Sequence, residues 1–128
     1  SCLYLIFYQK LNRYIILKRD FMQMLHTMNC ENSKTVTKLA NLELYLPQVE
    51  LWQLCVDQTS IWRQFTFKNF KQTMFFVNAV AYLCEKQMHH PQIKLGFNYC
   101  EITFITHDIN ALSINDFICA AKINQLIL

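Results

Sequence analysis

The chain has 128 residues, of which 53% are hydrophobic and 16% are charged. This length and this balance suit one domain with one hydrophobic core, and they exclude a chain that is disordered throughout. The net charge of +3 lies entirely in residues 1–28, which carry four basic side chains and one acidic one, whereas residues 29–128 carry eight of each. A domain that binds nucleic acid normally presents a basic face, so we expect no direct contact with nucleic acid.

Residues 1–28 are apolar and basic, but they match no standard membrane or export signal. The longest apolar run, from Cys2 to Tyr8, is far shorter than the roughly 20 residues that a membrane-spanning helix needs. Positive charge follows this run, whereas a secretory signal would place it in front. We predict that 1–28 is an extension outside the fold, with organelle targeting or sequence upstream of a later methionine start as alternatives. We expect 29–128 to form the domain, without membrane contact.

Six cysteines are spread along the chain, and no two have the C-x-x-C spacing of a zinc knuckle or a redox site. Cys84 and Cys119 lie in apolar helical patterns, as small buried thiols do. We therefore expect reduced cysteines and a cytoplasmic location.

The pattern of the first half of the domain predicts a helix and then a short strand. Apolar residues recur at helical spacing over 35–46, and Pro47 ends that predicted helix. Residues 50–55 are short and mixed, which favours a strand. The polar residues 57–60 predict a turn.

The next stretch predicts a strand followed by the longest helix. Residues 61–67 alternate, which is typical of a strand with one buried face. Asn69 is a candidate N-cap for a helix that reaches about Gln87. The recurring apolar residues are Phe70, Met74, Val77, Ala81 and Cys84, and the stripe is widened by Phe75, Phe76 and Val80. This width indicates a second buried face, such as a subunit interface.

The last third of the chain predicts a hairpin and a final helix. Pro91 prevents the long helix from continuing, and residues 92–97 and 100–107 alternate on either side of a turn at Asn98-Tyr99. Ser113 and Asp116 have the spacing of a capping box at the start of the last helix. Together, the predicted elements indicate an α+β fold with a four-stranded antiparallel sheet covered by helices on one face.

Three of the four histidines meet in this hairpin. His89 and His90 precede its first strand, and His107 ends its second strand. A turn at Asn98-Tyr99 places His107 opposite His90, and directly opposed residues in paired strands lie within about 5.5 Å of each other. We therefore predict that the three histidines form one site.

Imidazole groups give and take protons near neutral pH, so several of them facing one substrate can serve as acid and base. The alternatives are histidines that only form structural hydrogen bonds, and zinc held by three histidines. Adjacent His89 and His90 would diverge on an extended backbone, which disfavours a shared metal ion. Asp116 either caps the last helix or orients an imidazole. Glu85 is either a solvated carboxylate at a helix end or a partner of the substrate or of an imidazole.

These residues resemble the pterin-4a-carbinolamine dehydratase family, whose members are also known as dimerisation cofactors of a homeodomain transcription factor. The resemblance covers about residues 35–128 and rests on E-x3-H-H-P followed at this spacing by T-H. The matching residues are Glu85–Pro91, Asn98, Thr106–His107, Leu112–Ser113 and Asp116, with Arg63–Phe70 and Val80–Ala81 upstream. The positions that differ from the usual pattern are Met88, Ile93, Phe97 and Ala111, and most of them belong to the expected pocket wall.

The resemblance implies dehydration of 4a-hydroxytetrahydropterin to quinonoid dihydropterin during tetrahydrobiopterin recycling. It also implies a homodimer or homotetramer, a pterin substrate, and neither a metal nor an organic cofactor. By the same resemblance, His89 and His107 transfer protons, and His90 binds and orients the pterin. The implied supporting residues are Glu85, Thr106 and Asp116.

Two other functions fit the same fold. One is a non-catalytic oligomerisation or coactivator partner of a transcription regulator, and the other is a chaperone-like role in molybdopterin or another pterin pathway. An intact histidine cluster argues against a purely structural role.

Overall fold

The computed structural model describes residues 2–127, and for residues 15–24 it describes the backbone alone. The helices are α1 (Cys2–Met24), α2 (Leu42–Tyr45), α3 (Phe70–Gln87) and α4 (Ile114–Gln125), with 3₁₀ helices at Leu25–Thr27, Leu46–Gln48 and His107–Ile109. The strands are β1 (Gln53–Leu54), β2 (Ile61–Thr66), β3 (Gln92–Leu95) and β4 (Tyr99–Phe104). They form one antiparallel sheet in the order β1-β2-β4-β3. The predicted α+β fold with a four-stranded antiparallel sheet is confirmed.

The hydrophobic core lies between the sheet and the two long helices of the domain. The sheet residues in it are Ile61, Phe65, Cys100, Ile102 and Phe104, and α4 contributes a continuous buried run from Phe117 to Ala121. The opposite face of the sheet is open, since Gln64, Thr66 and Lys94 are exposed. Each fully buried apolar side chain stabilises the fold by roughly 1.5–3 kcal/mol, so this one-sided core holds the domain together.

Helix α3 begins as predicted, because the side chain of Asn69 accepts a hydrogen bond from the Gln72 amide at 2.9 Å. Its buried stripe differs from the predicted one and consists of Thr73, Phe76, Val77, Val80 and Cys84. Phe76 and Val80 therefore belong to the core of this chain and not to a second face. Phe75 (64% exposed) and Tyr82 (73% exposed) lie on the outer side of the helix.

The helix predicted over 35–46 is wrong. The segment is irregular until α2, and Pro47 lies inside the 3₁₀ helix that follows. A helix would bond the Leu39 N–H to the carbonyl of residue 35, but this N–H donates to the Leu112 carbonyl at 3.0 Å. The segment is therefore held by the loop just before α4 and not by its own backbone. The strand predicted over 50–55 is also shorter, with only Gln53–Leu54 paired.

The hairpin of β3 and β4 has the predicted faces but another register. The predicted turn would pair Gln92 with Ile105, whereas Gln92 pairs with Thr103. The turn is centred one residue earlier, where Gly96 donates its N–H to the Tyr99 carbonyl at 3.0 Å and a Cβ on Gly96 would collide with the Tyr99 ring. Moving the partner by two residues keeps every side chain on its face. The alternation predicted the buried face of β4, with Ile102 and Phe104, but Leu95 in β3 is 40% exposed, and the alternation could not set the register.

Strand β4 ends at Phe104, three residues before the predicted end. Thr106 pairs with Ala111 across a tight loop, and His107 begins the short 3₁₀ helix inside it. His107 is therefore not opposite His90 in the sheet. Its approach to the other histidines results from the loop.

Helix α1 lies in the predicted extension 1–28. Leu25, just after it, is fully buried in the core, and the His26 carbonyl accepts a hydrogen bond from Lys122 Nζ at 2.9 Å. The division between extension and domain at residue 28 stays a prediction. Among the described residues, no helix has the length and apolar character needed to cross a bilayer.

The six cysteines are free thiols, and three of them pack together. The Sγ atoms of Cys30 and Cys119 lie 3.5 Å apart, and Cys84 also contacts Cys119. Burial raises the pKa of the Cys100 thiol to about 11, and thiol contacts together with burial raise that of Cys119. Both thiols therefore stay protonated and unreactive at neutral pH.

Candidate active site

The end of α3 separates the two neighbouring histidines. The N–H groups of Met88 and His89 donate to the carbonyls of Glu85 and Cys84, each at 3.1 Å, which is the Schellman arrangement. Met88 takes the left-handed conformation that this arrangement needs, with φ 54° and ψ 35°. The chain turns sharply there, and His89 is buried whereas the next residue, His90, is exposed.

We expect Met88→Gly to raise the free energy of unfolding by about 0.5–1 kcal/mol. A left-handed residue with a Cβ costs more than glycine, and the 70% exposed Met88 side chain loses little packing. Urea denaturation of both proteins measures the difference. Met88→Ala keeps the Cβ and serves as the control, so a glycine variant no more stable than the alanine variant would contradict the expectation.

His89 is held inside the protein by a carboxylate. Its Nε2 lies 2.7 Å from Asp116 Oδ1, with the two side chains 6% and 0% exposed. An ionised carboxylate only accepts hydrogen bonds, so the Nε2 atom of His89 is the donor. The Nδ1 atom is then the ring nitrogen left for exchanging a proton. The ring also stacks on Phe104, with the centroids 5.5 Å apart and 9° between the planes, which fixes its orientation.

Asp116 joins this imidazole to the start of α4. Its Oδ2 accepts from the Thr106 hydroxyl at 2.8 Å and from the Ser113 N–H at 2.9 Å, and the latter bond is half of the predicted capping box. Because Thr106 donates to the carboxylate, the Ser113 hydroxyl must donate to Thr106 Oγ1 at 2.6 Å. Both predicted roles of Asp116, as helix cap and as partner of an imidazole, therefore occur in one side chain.

His90 faces the outside and pairs with the other predicted carboxylate. Its Nε2 lies 2.7 Å from Glu85 Oε2, and the side chains are 58% and 71% exposed. An exposed pair of this kind contributes at most about 1 kcal/mol to stability. Its effect is to orient the His90 ring at the rim of the site.

A cavity of about 160 Å³ lies between the three histidines. It is lined by Ser33, Met88, His89, His90, Ile105, Thr106, His107 and Asp108. Two larger cavities, of about 430 and 500 Å³, lie elsewhere, and neither contains more than one histidine. The smaller cavity is therefore the candidate active site, because it places a buried and two exposed imidazoles around one space.

The structure brings together all six residues that the sequence singled out. His89, His90, His107 and Thr106 line the cavity, and Asp116 and Glu85 bond to two of its histidines. Among the described side chains, those of residues 2–14 and 25–127, no group of three or more His, Cys, Asp or Glu is arranged to hold a metal ion.

Four residues around the cavity were not singled out from the sequence: Ser33, Phe104, Ile105 and Asp108. Ser33 lines the cavity from a distant segment, and no pattern around it indicates this position. The alternation of β4 placed Phe104 on the buried face, but its contact with the His89 ring is visible only in the structure.

The fold and the cavity define an α+β protein with clustered histidines suited to proton transfer. The family model described as "Pterin 4 alpha carbinolamine dehydratase" matches residues 34–126. A relative from Legionella pneumophila (strain Corby) is 43% identical over 103 residues, covering 80% of this chain and 91% of its own, and bears the name "Putative pterin-4-alpha-carbinolamine dehydratase". A relative with the same name from Nitrosomonas europaea is 43% identical over 98 residues, covering 76% and 85%.

Solved structures agree with these relatives. A transcriptional coactivator/pterin dehydratase from Brucella melitensis superposes with a TM-score of 0.67 at 28% identity, covering 70% of this chain and 98% of that one. A pterin dehydratase-like protein identified as a RuBisCO assembly factor superposes with a TM-score of 0.52 at 29% identity, covering 59% and 87%. The chain belongs to the pterin-4a-carbinolamine dehydratase family.

Proposed function

We propose that this protein dehydrates 4a-hydroxytetrahydropterin to quinonoid dihydropterin, in the recycling of tetrahydrobiopterin, without a metal or an organic cofactor. The observation that carries the proposal is the buried His89–Asp116 pair, which opens onto the same cavity as His90 and His107. Family membership supplies the pterin as the class of substrate.

The reaction needs one proton donor and one proton acceptor. The 4a-hydroxyl leaves as water after taking a proton from an imidazolium, and the proton on the neighbouring ring nitrogen passes to a neutral imidazole. We assign the two proton transfers to His89, which acts through its Nδ1 atom, and to His107. His90, oriented by Glu85, binds the pterin at the rim, and Thr106 and Asp116 hold His89 in place.

The test is the decay of 4a-hydroxytetrahydropterin, followed by stopped-flow absorbance with and without the purified protein. We expect the protein to accelerate the decay in proportion to its concentration. A rate equal to the uncatalysed one, for protein that is folded by circular dichroism, would refute the proposed activity.

We also propose that the protein is a homo-oligomer located in the cytoplasm. The exposed aromatic side chains Phe75 and Tyr82 on the outer side of α3 offer an apolar contact surface, and the six free cysteines suit a reducing compartment. Light scattering of the purified protein measures the number of subunits, and a monomer at micromolar concentration would refute the first part.

The second candidate is a coactivator that binds a transcription regulator. The Brucella melitensis protein, which is named both a transcriptional coactivator and a pterin dehydratase, favours it. Folded protein without dehydratase activity that copurifies with a helical regulator would support this function in place of the enzyme.

A further inference from the structure

A short segment between α1 and α2 contacts the end of α3 and the start of α4, the two helices that build the candidate site. We call residues 29–33 the strap. Its Cys30 N–H donates to Gln87 Oε1 at 2.8 Å, and Gln87 Nε2 donates to Asn29 Oδ1 at 3.1 Å. The strap is thereby fixed to the last residue of α3, next to the turn that separates the two histidines.

The second anchor of the strap is Asn115 in the first turn of α4. Asn115 Oδ1 accepts from the Glu31 N–H at 2.7 Å, and Asn115 Nδ2 donates to the Glu31 carbonyl at 2.8 Å. The Asn115 side chain is 1% exposed, so losing either bond would leave a buried polar group unpaired. Because Asn115 precedes Asp116, one helical turn holds both the strap and the His89 ring.

These anchors place Ser33 at the cavity. On the C-terminal side of Ser33, the Val36 N–H donates to the Asn32 carbonyl at 2.9 Å, and Val36 is 4% exposed. Ser33 therefore lies between two fixed points, the Glu31–Asn115 bonds and the buried Val36. It lines the same cavity as the three histidines.

The hydroxyl groups around the cavity differ in whether they already form hydrogen bonds within the protein. Thr106 donates to Asp116 and accepts from Ser113, and Ser113 also accepts from the Asn115 N–H at 3.2 Å. Ser33 is half-buried, and its hydroxyl forms no hydrogen bond with any group that the structure describes, which leaves out only the side chains of 15–24 and the two terminal residues. It is the lining hydroxyl still able both to donate and to accept.

We propose that the Ser33 hydroxyl hydrogen-bonds the pterin ring, and that Asn115 is the positioning residue that delivers it through the strap. A pterin carries amino, carbonyl and ring-nitrogen groups along its edge, which need donors and acceptors that the imidazoles alone do not supply. Ser33 touches the bound ring and not the proton that moves, so it contributes equally to substrate and transition-state binding. The inference rests on the proposed function for the identity of the ligand.

The test compares Ser33→Ala with Ser33→Thr in the full chain. We expect Ser33→Ala to raise KM for 4a-hydroxytetrahydropterin about 3–10-fold with kcat unchanged, as loss of one uniform hydrogen bond does. Ser33→Thr keeps the hydroxyl and should restore KM to within about twofold. Ser60→Ala, in the turn before β2 and away from the cavity, is the matched control. Ser33→Ala should also raise the Kd for 7,8-dihydropterin, which has no 4a-hydroxyl to lose, by the same factor as KM.

The role of Asn115 is tested by non-additivity. Asn115→Ala should raise KM about as much as Ser33→Ala does, and the double variant should be no worse than either, because the strap acts through Ser33. If Asn115→Ala does not fold, Asn115→Asp, which can accept from Glu31 but not donate to it, replaces it in the cycle.

The outcomes separate the two proposals. An inactive wild type refutes the proposed function, whereas the dihydropterin Kd still tests the Ser33 contact. An active wild type whose KM and dihydropterin Kd are both unchanged by Ser33→Ala overturns this inference alone. Additive effects of the Ser33 and Asn115 variants would overturn the positioning role.

Discussion

Replacing His107 by alanine is expected to lower kcat/KM about 10²–10³-fold with little change in stability. The expected loss follows from removing one of two imidazoles that exchange protons with the substrate, since such a group contributes about 10²–10⁴-fold. His107 is exposed at the start of its 3₁₀ helix, so its side chain contributes little to the core. Stopped-flow rates and the thermal midpoint of the same preparation give both quantities.

His26→Ala is the matched control for this variant. His26 is half-buried in another cavity, and its backbone carbonyl, not its ring, accepts the hydrogen bond from Lys122. It should retain the wild-type rate, which shows that loss of a histidine is not harmful by itself. If His107→Ala also keeps kcat/KM within about threefold, the assignment of proton transfer to His107 is wrong.

Replacing Asp116 by alanine is expected to lower the free energy of unfolding by about 3–5 kcal/mol, or the thermal midpoint by roughly 10 °C or more. The carboxylate is fully buried and accepts from His89, Thr106 and the Ser113 N–H. Alanine would leave all three donors unpaired and would remove half of the capping box of α4. Urea denaturation followed by circular dichroism measures the loss.

Asp116→Asn separates the contribution of the carboxylate charge to stability from the contribution of side-chain packing. The amide has the same shape and can still accept from the Ser113 N–H, but one of its two ends now donates. Turned toward His89, its NH₂ group forces Nε2 to accept and moves the ring proton to Nδ1. We expect a smaller stability loss, of about 1–3 kcal/mol, with activity reduced at least as much as in His107→Ala.

Asp57→Asn provides the control for the Asp116 variants. Asp57 is an exposed turn residue that accepts from Thr59, so its replacement should change stability by no more than about 1 kcal/mol. If Asp116→Ala were as mild as Asp57→Asn, the buried hydrogen-bond network would not be a main source of stability.

The residues of the candidate site were predicted more completely than their arrangement. The sequence shows the adjacent His89 and His90 and the later His107, and the capping-box spacing indicated Asp116. The reason given for their approach, strand pairing of His107 with His90, was wrong, because β4 ends at Phe104 and pairs two residues out of that register. The loop closed by Thr106 and Ala111 brings His107 to the cavity instead.

By itself the sequence determined the elements whose causes are local. Asn69 and Ser113 begin helices because their side chains bond amides two or three residues away, and alternation assigns the faces of β2 and β4 because side chains alternate along any strand. The tertiary structure alone decided the register of the hairpin, the irregular path before α2 and the position of Ser33. Each of these depends on bonds between distant residues, such as Leu39 with Leu112 and Glu31 with Asn115, whose energies no local pattern records.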